Sequence, residues 1–139
     1  MEKVRGRFIV EMLGRPQEVL SKALVDLIKE MKKDGRVIEN EKYSQPKKVG
    51  KIIYSAFVEF EIVCRDLADF IGAVIDYVPM TVEIVEPEKM TCSMIDMQEV
   101  LNDLTARLYE LDKQVKMSQA GATILQRKLG ELQGKETVK

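Results

Sequence analysis

Residues 53–63 read IYSAFVEFEIV. Tyr54, Ala56, Val58, Phe60 and Ile62 fall on one side of an extended chain, and Ser55, Phe57, Glu59 and Glu61 fall on the other. This period of two predicts a strand with one buried face.

Toward the N-terminus, Ser44–Lys51 holds Pro46, Gly50 and three lysines, the composition of a solvated connection. Arg36–Tyr43 reads as a weaker strand. Before it, Val19, Leu20, Ala23, Leu24, Leu27, Ile28 and Met31 recur at helical spacing on one face. Lys32 and Lys33 suit the helix C-terminus and Gly35 its stop, while Pro16 suits the first helical position. Arg7–Leu13, RFIVEML, alternates again, with Phe8, Val10 and Met12 on one side.

Toward the C-terminus, Asp66 is placed to cap a helix whose apolar stripe is Leu67, Phe70, Ile71, Val74 and Val78. Pro79 ends that helix. Met80–Glu86 is a last strand, with Val82 and Ile84 expected inward. The order is therefore β-α-β-β-α-β. Right-handed crossovers pack two such helices on one face of a four-stranded antiparallel sheet, the α+β ferredoxin-like plait. That domain is expected over residues 1–90, followed by a C-terminal helical oligomerisation or interaction segment over residues 91–139.

The segment carries a seam. Met97, Leu101, Leu104, Leu108, Leu111, Val115, Ser118, Ala122, Leu125, Leu129 and Leu132 are spaced alternately by four and three. A heptad sustained this long predicts coiled-coil packing, and Asp96 with Glu99 has capping-box-like spacing at its start. Gly121 interrupts the seam's larger residues. Either one long helix passes through it, or the chain turns there into a helical hairpin.

Several chemistries are absent. The chain contains no histidine, so Ser-His-Asp and Cys-His catalysis within one chain are excluded. It has no GxxxxGK[ST] and no GxGxxG. Cys64 and Cys92 are 28 positions apart, a spacing that makes neither a zinc site nor a disulfide framework. Glu59 and Glu61 share a strand face, but such pairs are usually plain surface residues. No catalytic residue, metal ligand or cofactor is expected. No apolar run can cross a bilayer, and the charged start at Met1–Arg7 lacks a signal peptide's apolar core, so a cytoplasmic protein with no membrane partner is expected. Net charge is −1, divided into +5 over residues 1–51 (13 Lys/Arg, 8 Asp/Glu) and −6 over residues 52–139 (9 and 15).

Three resemblances follow from these residues. Ala56-Phe57-Val58-Glu59-Phe60 resembles half of the RNP1 strand of RRM-type RNA-binding domains, with Phe57 at an outward, base-stacking position. Ser55, Ile53 and Ile9 depart from that pattern. Gly14-Arg15-Pro16-Gln17 resembles the D-R-P-G turn of ACT-type regulatory domains, which share the β-α-β-β-α-β order and sense small molecules. Gly14 and Gln17 replace that motif's Asp and Gly. The chain as a whole is similar to small uncharacterised archaeal proteins, a likeness that implies no function.

The expectation is a non-enzymatic oligomeric adaptor or regulatory module, a homo-oligomer or the partner of another helical protein. Its interface is Met97, Leu101, Leu104, Leu108, Leu111, Val115, Ala122, Leu125, Leu129 and Leu132. The alternative is nucleic-acid contact through Arg5, Arg7, Lys47, Lys48 and Lys51. Ile9 and Phe57 are candidate contacts on the outer sheet face.

Overall fold

The computed structural model describes residues 2–137. Five strands and three helices follow in the order β1 (Val4–Gly14), α1 (Gln17–Lys33), β2 (Val37–Tyr43), β3 (Lys47–Lys48), β4 (Tyr54–Cys64), α2 (Leu67–Tyr77), β5 (Thr81–Glu86) and α3 (Met94–Thr137). The fold is α+β. Its sheet is antiparallel, ordered β2-β4-β1-β5, with the short β3 pairing β4 beyond that path.

Strands β1 and β4 form the centre because both alternate over eleven residues. Their register sets Phe8 against Phe60, Val10 against Val58 and Val4 against Cys64. These side chains meet Leu20, Leu24, Ile28 and Met31 of α1 and Phe70 and Ala73 of α2 in one buried core. Both helices therefore cover the same face. Phe8 packs edge-on against Phe60 at 5.8 Å between ring centroids, and its ring lies 5.6 Å from that of Phe70.

Chain punctuation works as composition implies, with small shifts. Helix α1 starts at Gln17, so Pro16 is the extended residue before it and not its first residue. The helix ends in a Schellman motif: Gly35 N–H donates to the Lys32 carbonyl and Arg36 N–H to the Met31 carbonyl, with Gly35 at φ 93°. Asp66 caps α2, its carboxylate accepting from Asp69 N–H at 2.8 Å.

Strand β5 departs from expectation. Val82 and Ile84 do face the helix side, opposite Phe8 and Gly6, yet they are 43% and 55% exposed. The physical reason is placement: β5 lies at the sheet edge, while the two helices pack on β1, β2 and β4.

The chain divides into two compact units, one ending at Leu101 and the next beginning at Asn102. The first eight residues of α3 belong to the first unit, beyond the boundary at residue 90 drawn from sequence. Val100, buried, lies in that opening stretch.

Candidate functional site

Helix α3 is continuous from Met94 to Thr137, so the chain does not turn at Gly121. A Cβ added at Gly121 would meet nothing within 4 Å, which leaves this position open along the helix surface. The N-terminal cap is Ser93, not Asp96: Ser93 Oγ accepts from Asp96 N–H at 3.1 Å, and the Ser93 carbonyl accepts from Met97 N–H at 3.0 Å. Asp96 instead lies in the first turn, where its charge complements the helix dipole. Farther along, Lys116 and Asp112 form an exposed i,i+4 ion pair at 2.9 Å.

The seam residues share one stripe, and most of them are exposed. Leu101 is 52% accessible, Leu111 47% and Leu125 63%, and Leu108, Val115, Leu129 and Leu132 fall between those limits. Ala122 is exposed as well, while Met97 and Leu104 are half-buried. Met117 and Ile124, outside the seam, widen the apolar surface. A soluble surface rarely leaves so long an apolar stripe uncovered.

The sheet face opposite the core is a lattice of ion pairs. Arg5 lies 2.8 Å from Glu39, and Arg7 lies 2.8 Å from Glu83, 3.6 Å from Glu59 and 3.7 Å from Glu61. The Asn40 amide also donates to Glu61. Arg5 and Arg7 are thus committed to carboxylates within the sheet. They do not join Lys47, Lys48 and Lys51, which are exposed at the other end. Lys47 pairs in register with Ser55, opposite Leu13, whereas Arg7 faces Glu61. The six-residue offset along β1 corresponds to about 20 Å. Ile9 and Phe57 share the outer face as diagonal neighbours, since Ile9 faces Glu59 and Glu11 faces Phe57. Phe57 is 40% exposed.

A feature that local sequence did not suggest lies where α1 ends. Asp34, Gly35, Arg36, Val37, Val63, Arg65, Asp69, Asp76 and Tyr77 line an open cleft of about 520 Å³. Arg36 contacts Asp69 at 2.7 Å and Asp76 at 3.7 Å, and its guanidinium lies 5.8 Å from the Tyr77 ring centroid. Burial pushes the Asp69 carboxyl up, but the Arg65 backbone N–H and the Arg36 guanidinium outweigh it and hold the group below the usual carboxylate range. Burial pushes the Cys64 thiol up to about 11, a value that makes it a poor nucleophile. Among the described residues, no group of three or more His, Cys, Asp or Glu is arranged to hold a metal ion. Among the same residues, no helix is long and apolar enough to cross a membrane.

Fold and surface together define an α+β protein whose antiparallel sheet is followed by a long helix with an exposed apolar stripe. The chain belongs to the MJ0538 family, whose family model matches residues 6–135. This agrees with the likeness to small archaeal proteins drawn from the sequence. Comparison with curated proteins and with solved structures gives no match.

Proposed function

We propose that this protein is a non-enzymatic oligomeric adaptor or regulatory module of the cytoplasm, assembled by coiled-coil packing of α3. The four longer strands and two helices of its first unit are then a ferredoxin-like plait, displayed in several copies. The observation that carries this reading is the exposure of the α3 seam, 47–63% over seven aliphatic residues. Burying the exposed half of a leucine side chain stabilises an assembly by roughly 1 kcal/mol. Seven such residues on each helix contribute several kcal/mol. A long helix gains most of its stability from packing of this kind rather than from propensity. Replacing Leu104 and Leu108 together by Asp should lower the molar mass measured by light scattering during size exclusion. An unchanged mass would overturn the reading.

A second reading is nucleic-acid binding through Lys47, Lys48 and Lys51. It is favoured by their exposure and by the lack of any Asp or Glu across residues 43–58. Against it, Arg5 and Arg7 are paired with glutamates at 2.8 Å, and Arg7 lies six strand positions, about 20 Å, from the site of Lys47. Binding of this kind would weaken steeply with added salt. No retardation of RNA or DNA at low salt would remove it.

A further inference from the structure

The sheet has two free edges, and they differ in how they are guarded. At the β2 edge the pairing register shifts between Glu39 and Lys42, Asn40 has φ 57°, and the strand carries Glu39, Glu41 and Lys42. Bulges and charges of this kind blunt an edge against pairing with another chain. Over Thr81–Ile84 the β5 edge has no bulge, and its one charge, Glu83, is already paired with Arg7 at 2.8 Å. All six of its residues are exposed, and Met80, just before it, is 55% exposed. Its one irregularity lies toward Glu86, where Gly6 pairs with Ile84 but Arg5 with Glu86.

We propose that β5 pairs antiparallel with β5 of a second copy, across a twofold axis at Val82. A twofold axis normal to the sheet keeps each side chain on its own face, so only registers centred on a residue satisfy it. Centred on Glu83, the two copies set Glu83 against Glu83. Centred on Ile84, they set Val82 against the Glu86 carboxylate. Centred on Val82, they set Val82 against Val82, Met80 against Ile84 and Thr81 against Glu83. That last register joins Val82 and Ile84, the exposed apolar residues of the helix side, to Met80 just before the partner strand in one apolar patch. It brings no two carboxylates together, and Glu83 keeps its ion pair with Arg7 at 2.8 Å. This match of β5 to itself selects a second copy as the occupant.

The interface is independent of α3, and the test separates the two. In the full chain carrying Leu104→Asp and Leu108→Asp, light scattering at high loading should still read a dimer. Adding Val82→Lys should make it monomeric, with circular dichroism unchanged. Register is read by cross-linking with a short bis-maleimide in the Cys92→Ser background. Val82→Cys chains should link to one another. Ile84→Cys chains alone should not, but a mixture of Ile84→Cys and Met80→Cys chains should. A monomer before Val82→Lys is added, a dimer that survives it, or Ile84→Cys chains linking as readily as Val82→Cys chains would overturn the proposal.

Discussion

The Arg36 guanidinium lies 2.7 Å from the Asp69 carboxylate, tying the residue that follows the α1 Schellman turn to the first turn of α2. Asp69 also accepts from the Arg65 backbone N–H at 3.0 Å. Asp69→Asn weakens both charge-assisted bonds and should lower stability by about 1.5–3 kcal/mol near neutral pH. Because the folded Asp69 pKa lies below its unfolded value, its contribution is complete above the ordinary carboxylate range. It is lost as pH falls through the depressed folded value. Denaturant titrations of both proteins across pH should therefore show a gap that closes only in acid.

Gly6 gives the Phe70 ring its place on β1. A Cβ at Gly6 would clash with Phe70 Cε2 and would lie 2.7 Å from Phe70 Cζ and 3.2 Å from the Glu83 carbonyl oxygen. The ring is buried and packed against Phe8, so it cannot swing aside freely. Gly6→Ala should cost about 1–3 kcal/mol by overpacking. Combining it with Phe70→Leu should cost less than the sum of the two single changes, measured as a double-mutant cycle in urea.

Val78 ends α2 in the left-handed region at φ 44° and is 77% exposed. That conformation costs an L-residue about 1–2 kcal/mol. Glycine removes the cost but adds about 0.5–1 kcal/mol of backbone entropy to be lost on folding. Val78→Gly should therefore raise stability by roughly 0.5–1 kcal/mol, because so exposed a side chain contributes little packing. An unfolding midpoint at or below wild type would count against strain at this position.

Cys64 is buried with its thiol pushed up to about 11, whereas Cys92 is only half-buried. A chromogenic disulfide reagent should titrate Cys92 alone in the native protein and both thiols after denaturation. Cys92→Ser should leave the native protein unreactive.

Much of the fold is legible locally. The alternation of Phe8 and Val10, and of Ala56 through Ile62, marks the two central strands. Leu20, Leu24, Ile28 and Met31 mark the buried face of α1. Gly35 and Asp66 mark helix ends because backbone conformation and side-chain capping act within a few residues. Val82 and Ile84 show where this reasoning stops. Their alternation reports which face they occupy, but not whether a helix covers that face. The cap of α3 shows a second limit, since Ser93 and Asp96 both suit the role and only backbone geometry chooses Ser93. Arg5 and Arg7 resemble the loop lysines in sequence, yet sheet register surrounds them with glutamates 34 to 76 positions away.

The sequence by itself determined the four longer strands, the three helices, the apolar seam of α3 and the lack of histidine chemistry, because spacing and composition act along the chain. It did not determine the short β3 at Lys47–Lys48, which lies within the expected connection. Tertiary structure decided which face of β5 stays open, which cations are neutralised and where Arg36 meets Asp69 and Asp76. Those outcomes depend on strand order and register between segments distant in sequence. Periodicity cannot encode that pairing, because every alternating strand presents the same two faces until a neighbour is chosen.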